Sequence, residues 1–367
     1  MTRNKFSVLD GMRGGAAFFV LIRHTGPLWD NLNIIHSYIA VDLFFIMSGF
    51  VLSHAYDEKL RTGALSVRQF FILRLIRIYP LYFIAAIIGT INLFAGIGSG
   101  QAEYHRPPIS DFSSSTILTL FLLPSKIGGN DYLFPLNPHF WSLFFELFAN
   151  LLYAALRSVL TTSVLIVLSV LFALGVAYSA IRHDGLDMGY YWDIRPFAFA
   201  TIRACSGFFI GLLLHRIYMK KPAIITSNLL SVLALVVMSA ILANRVTGSL
   251  HGIADCVAAI ILFPLLVLAS AYVAPTGPFL RSFTFIGMAS YPIYLLHPVL
   301  GRWFFASWQA SFGSMAQTGT PFLGVFFTVL IFTIAYFLDV FFDLPIRRRL
   351  SALLLHSSSS LRGGKRS

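Results

Sequence analysis

Ten apolar runs, each long enough to cross a hydrocarbon core as a helix, divide this chain of 367 residues almost end to end. They cover about 8–28, 38–56, 71–96, 140–157, 161–180, 196–215, 226–243, 251–273, 284–306 and 321–342. No water remains in lipid to satisfy the backbone, so only helices and closed barrels can span it. A barrel would alternate apolar and polar residues in segments of about ten, whereas these runs are continuously apolar. Only 11% of the residues are charged, against about 25% in a soluble globular protein. The expected fold class is an all-α polytopic membrane protein with about ten transmembrane helices. Residues 113–124 (SSSTILTLFLLP) are apolar but too short to cross, and read as a re-entrant or interfacial segment. Pro264 and Pro292 fall inside runs, Pro292 as a kink, where neighbouring helices satisfy the freed backbone groups.

A net charge of +12 invites a nucleic-acid partner, but its distribution argues against one. With the N-terminus inside, the cytoplasmic segments hold eighteen basic residues and the opposite face six. That is the positive-inside bias, with both termini cytoplasmic, and anionic lipid is partner enough for it. Cys205 and Cys256 lie in apolar runs and read as small hydrophobes. No spacing of a zinc site, a glycine-rich phosphate loop or a serine elbow is present, so no metal is expected. No small-residue cleavage site follows the first run, which is expected to be retained. Residues 1–345 then form a single integral membrane domain, and 346–367 a short, basic, unstructured cytoplasmic tail. Two outer loops stand out. One is 97–139; the other, 181–195 (IRHDGLDMGYYWDIR), has the aromatics and acids that suit a sugar-like ligand. Tyr190, Tyr191 and Trp192 read first, however, as an interfacial belt. No internal repeat supports a transporter of duplicated halves.

Against this background the ionisable residues inside the runs carry the functional signal, because Arg at a helix centre costs on the order of 2.5–3.5 kcal/mol. Arg13 and His24 lie eleven residues apart in LDGMRGGAAFFVLIRHTG. That is close to three turns, so both project from one face about 16 Å apart. An imidazole there serves either as a general base or as a ring satisfied by a backbone carbonyl at a helix end. Glu146, two turns into NPHFWSLFFELFANLLY, needs a partner, and a histidine or arginine of the first run is the natural one; a structural ion pair is the alternative. Arg74 and Arg77 share a face at the cytoplasmic mouth of the third run, suited to bidentate phosphate or to plain anchoring. Tyr294 and His297 lie one turn apart in SYPIYLLHPVL, where Tyr294 donates to a bound carbonyl or simply packs. Asp10, Asp42 and Asp343 complete the supporting set.

In order along nearly the whole chain, these segments resemble those of the acyltransferase-3 family of integral membrane O-acyltransferases. The residues concerned are LDGMRGGAAFFVLIRH with Arg13 and His24, VDLFFIMSGFVLSHAY, FILRLIRIYPLYF with Arg74 and Arg77, HFWSLFFELF with Glu146, SYPIYLLHPVLGRW, and FFDLPIRRRL. The resemblance implies ten helices that pass an acyl group, usually acetyl, from cytoplasmic acyl-CoA through the bilayer to a hydroxyl of an envelope or extracellular glycan. It makes His24 the catalytic base with Glu146 as its partner, and gives Arg13, Arg74 and Arg77 the CoA phosphates. No permanently bound cofactor is implied; acyl-CoA is a substrate, and a bacterial-type inner membrane is the location. Three positions depart from the pattern. Leu147 stands where a second acid is common, Asp343 where glutamate is usual, and Arg23 beside His24 where the residue is commonly apolar or aromatic. The rival from another class is a non-enzymatic glycan or small-solute permease or flippase, whose buried charges would line a solute path.

Overall fold

A computed structural model describes residues 6–30, 32, 34–96, 108–127, 130–313 and 318–363. They form thirteen α-helices and one parallel pair of two-residue strands, Ile225–Thr226 with Val273–Ala274. The first seven helices are α1 (Ser7–His24), α2 (Ala40–Arg61), α3 (Val67–Ala95), α4 (Ile109–Leu120), α5 (Phe140–Leu156), α6 (Thr162–Arg182) and α7 (Ile194–Lys220). Then come α8 (Asn228–Leu242), α9 (His251–Val257), α10 (Phe263–Ala271), α11 (Gly277–Phe312), α12 (Phe322–Phe337) and α13 (Leu344–Gly363). Polar residues in extended conformation start several of them by accepting from the open backbone N–H groups of the first turn. Ser66 and Gln69 form a reciprocal cap on α3, while Thr161, Asp193 and Ser227 cap α6, α7 and α8.

Seven segments are long and apolar enough to cross a membrane: His36–Arg61, Val67–Ala95, Thr162–Arg182, Ile194–Lys220, Gly248–Ala271, Gly277–Phe312 and Phe322–Leu354. Two shorter apolar helices, α5 and α8, and the charge-bearing α1 occupy the other three expected runs. The expected run 251–273 is α9 and α10 joined by a π-helical turn, Ala258–Leu262, with Pro264 in the first turn of α10. Helix α11 continues through both Pro292 and Pro298. The segment expected at 113–124 is largely α4, held to α3 by Tyr79, whose hydroxyl donates to the Leu120 carbonyl at 2.9 Å. Part of the long outer loop, 97–107 and 128–129, lies outside the described residues. At the other end, α13 crosses the expected boundary at 345 and runs to Gly363, so the tail is helical as far as it is described.

Burial sorts the helices into an inner and an outer set. The most apolar window of α2 is 72% buried and those of α7 and α11 67%, but that of α6 only 22%. Val167, Leu171 and Leu174 of α6 are each more than half exposed, a surface that hydrocarbon covers. The inner helices approach closely through small residues. A Cβ on Gly211 of α7 would lie 2.2 Å from the Ile46 carbonyl oxygen of α2, and one on Gly49 2.0 Å from that of Phe208. Such contacts are how helices associate where lipid supplies no hydrophobic drive.

A buried polar tie closes one end of this bundle. Arg203 of α7 is 2% exposed and gives every guanidinium donor a partner. It bonds Asp42 twice (2.8 and 2.6 Å) and the carbonyls of Leu186, Met188 and Tyr38. Beside it His36 bridges Asp255 and the Val246 carbonyl, each at 2.7 Å, and Tyr38 bonds both Asp255 and His251. The loop between α6 and α7 is thereby fixed to α2 and α9.

Candidate active site

Helix α1 reaches into two cavities of the helix bundle, with Arg13 in one and both Arg23 and His24 in the other. Arg13 lines a cavity of about 200 Å³ with Arg74, Arg77, Glu146, Ser48 and Tyr291. His24, at the last turn of α1, lines one of about 480 Å³ with His139, Trp141, Tyr132, Tyr190, Arg23 and Arg302. Val41 and Tyr294 belong to the walls of both. Arg13 and His24 thus lie on one helix and line different chambers, with Val41 and Tyr294 at the septum the two share.

In the arginine cavity the acids and guanidiniums neutralise one another in part. Arg74 of α3 donates to Glu146 of α5 at 3.2 Å, and Ser48 of α2 donates to the same oxygen at 2.7 Å. Asn150, one turn beyond Glu146, accepts from Arg74 Nε at 3.1 Å when its amide is turned to satisfy both ends. This corrects the expected pairing of Glu146 with His24: α3 lies against α5 here, and the carboxylate spends its charge on Arg74. Arg77 stands 3.7 Å from Asp343 and covers the Tyr291 ring at 5.4 Å. Asp343 is fully buried, and Arg347 reaches it at 2.8 Å. Arg13 keeps company with Asp10, one turn earlier, at 3.2 Å, with both side chains 31% exposed. Asp42, expected to support the site, belongs to the Arg203 tie instead.

At the histidine cavity lies a convergence that no linear spacing announced, two of its rings lining the cavity and the third, His297, fully buried. The rings of His24 (α1), His139 (just before α5) and His297 (α11) meet edge to face or tilted. Their centroids are 4.2 Å apart for the first pair, 5.3 Å for His24 and His297, and 4.9 Å for His139 and His297. His24 Nδ1 lies 2.8 Å from the Val20 carbonyl and His297 Nδ1 2.9 Å from that of Ile293. A carbonyl only accepts, so both Nδ1 atoms carry the proton and both Nε2 atoms offer a lone pair. His297 Nε2 and His139 Nδ1 are buried without a hydrogen-bond partner. One ligand atom from each ring lies within 4.8 Å of the other two, a donor set that fits a divalent cation. The second such group, His36, His251 and Asp255, is instead committed to the hydrogen bonds described above.

Around the rings the wall is aromatic and basic. Residues 131–133 pair with 190–192 through Leu133 N–H to the Tyr190 carbonyl (2.8 Å) and Trp192 N–H to that of Asp131 (2.6 Å). This stacks Tyr132 on Tyr191 at 12° between planes. Burial raises the hydroxyls of Tyr132 and Tyr190 above their ordinary titration range, and Asp187 adds to the effect at Tyr190. Both therefore remain neutral donors. The 181–195 loop, read first as a membrane belt, puts Asp187 and Tyr190 on the cavity wall. Arg23 turns away to Asp187 at 2.6 Å. At the septum the Tyr294 hydroxyl shares a 2.6 Å hydrogen bond with Ser142.

Residues 6–340 match the family whose model is described as an acyltransferase domain, the acyltransferase-3 family. The chain belongs to that family. It is also 39% identical over 157 residues to "Protein 2 in picA locus" of Rhizobium radiobacter, a match covering 41% of this chain and 81% of that protein. No solved structure matches it. Among the site residues of this acyltransferase, His139, Arg302, Ser48 and Asn150 escaped the sequence reading. His139 stood in plain view two residues before Trp141 in HFWSLFFELF, where it looked like part of a helix start.

Proposed function

We propose that the protein is a membrane O-acyltransferase. In this reading it moves an acyl group, acetyl most simply, from cytoplasmic acyl-CoA to a hydroxyl of an envelope or extracellular glycan of exopolysaccharide type. The observation that carries the reading is the meeting of an arginine-lined and a histidine-lined cavity at Val41 and Tyr294. A phosphate-rich carrier suits the first chamber, where guanidinium forks give strong charge-assisted hydrogen bonds. A polyhydroxylated acceptor suits the second, with its stacked tyrosines and histidine lone pairs. Ten spans with both termini cytoplasmic would turn the arginines to the inner face and the histidines to the outer one, in a bacterial-type inner membrane.

In the reaction, His24 Nε2 takes the proton of the acceptor hydroxyl as its oxygen attacks the thioester carbonyl. Collapse of the tetrahedral adduct expels the CoA thiolate, and the imidazolium returns the proton to that sulfur. Donation of Nδ1–H to the Val20 carbonyl holds the ring in the tautomer this requires. The unpartnered nitrogens of His139 and His297 orient the acceptor. Glu146 fixes Arg74 for the CoA phosphates with no direct part in the proton transfer. A covalent acyl-histidine route uses the same groups in two steps.

The test is purified protein in lipid nanodiscs with labelled acetyl-CoA and candidate glycans. Wild type transfers label, and His24→Ala abolishes transfer while its abundance in membranes is unchanged. Label transfer retained by His24→Ala would refute the base assignment. Solute movement that needs no acyl-CoA and survives loss of His24 would favour a permease.

A further inference from the structure

Among the described residues, one positive charge in the histidine cavity has no acidic partner. Three guanidiniums line it, those of Arg23, Arg203 and Arg302, and a single carboxylate, Asp187. Arg23 is spent on Asp187, and Arg203 on Asp42 and three carbonyls. Arg302 gives Nε to the Pro298 carbonyl, four residues back on its own helix, at 3.2 Å. Among the described residues no carboxylate lies within ion-pair distance of it. A guanidinium drawn into a helix bundle without a counter-ion is costly, and such a residue marks a binding site more readily than a packing role.

We infer that Arg302 binds an anionic group of the acceptor, a carboxylate or a phosphate, and so selects acidic acceptors. This rests on reading the histidine cavity as the acceptor site. Arg302 lines the same cavity as His24 and His139, so an anion held at Arg302 leaves a neighbouring hydroxyl of the acceptor to meet those rings. Bonding Nε to the Pro298 carbonyl fixes the direction of the fork and leaves the two terminal nitrogens for bidentate contact, the geometry that carboxylate and phosphate share. The Tyr132 and Tyr190 hydroxyls on the same wall supply neutral donors for the rest of the ring.

Binding of three probes to nanodisc-embedded protein, measured by calorimetry, tests this without requiring turnover. They are a glucuronate-terminated disaccharide, its carboxyl-reduced neutral counterpart, and the neutral disaccharide linked to a polyisoprenyl diphosphate. At least one anionic probe should bind about ten-fold or more tighter than the neutral one, and Arg302→Gln should erase that preference while leaving the neutral Kd in place. Arg302→Lys should restore part of it. Preference for the uronate alone assigns a sugar carboxylate; preference for the diphosphate alone assigns the carrier phosphate. Equal binding of all three probes by wild type, or a preference that survives Arg302→Gln, overturns the inference. Acyl-CoA binding is the control for intact structure and should be unchanged in both variants. A preference confirmed in protein that transfers no acyl group would sink the transferase reading and leave this one standing.

Discussion

At the residue scale the three histidines divide labour according to which nitrogen the backbone has already claimed. His24 and His297 have Nδ1 tied to the carbonyl one turn earlier, which turns both Nε2 lone pairs toward the cluster. The same geometry makes the site vulnerable to metal. Zn²⁺ captured by three imidazoles would occupy the lone pair that the base needs. Added Zn²⁺ should therefore inhibit acyl transfer and a chelator restore it, with the inhibitory concentration rising about ten-fold or more in His297→Ala, read on whatever activity that variant keeps. Activity lost on chelation of untreated enzyme would instead point to a resident ion. In the other chamber, Arg77→Glu should raise the Kd for acyl-CoA by about ten-fold or more and leave acceptor binding alone. Equal loss of both would remove the phosphate assignment. The line from Arg13 to His24 was legible because it lies on one helix, where 3.6 residues per turn decides what faces what. The partner of Glu146 was not legible, since it depends on α3 lying against α5.

At the scale of elements, the α2–α7 contact is a close one built on glycines. The Cβ of Gly211→Ala would meet a backbone carbonyl, which cannot rotate aside as a side chain would. A loss of about 1–3 kcal/mol is expected, seen as a lower melting temperature in detergent. Gly26→Ala, with nothing within 4 Å of the added methyl and no positive φ, is the matched control. The places of the apolar helices were readable because lipid demands length and hydrophobicity, but seven of the ten runs are long and apolar enough to cross, and their ends differ from the reading by several residues. Their irregularities were less so. The π-helical turns Ala258–Leu262 and Leu338–Asp343 leave no mark of their own in the apolar pattern, and the continuation of α13 past Leu355, through HSSSSLRG, has no apolar signature. The small residues at 207 and 211 carry the spacing of a close helix contact, but not the name of the helix they meet.

At the scale of the whole molecule, the Arg203 tie joins α7, α2 and the loop between α6 and α7 through one buried side chain. Arg203→Met strands a buried Asp42 carboxylate and should cost about 3–5 kcal/mol, whereas the double change with Asp42→Leu should regain most of the lost melting temperature. If the double variant is no better than the single one, Arg203 acts through its carbonyl contacts alone. Neither residue would have been paired from the sequence, where 161 positions separate them. The family and the span pattern were visible in the order of the motifs, while the two chambers emerged only once α1, α5 and α11 were packed together.

The septum of Val41 and Tyr294 has a bearing on the energetics of any cell that houses this protein. A passage wet from end to end would let hydronium run down the gradient that powers the membrane, and every copy would act as a small short circuit. If water fills both chambers, the Tyr294 phenol clasped by Ser142 is the group placed to keep the two columns from joining. Swapping that ring for a methyl group should make sealed vesicles holding the protein lose an imposed pH difference faster, even with no substrate present.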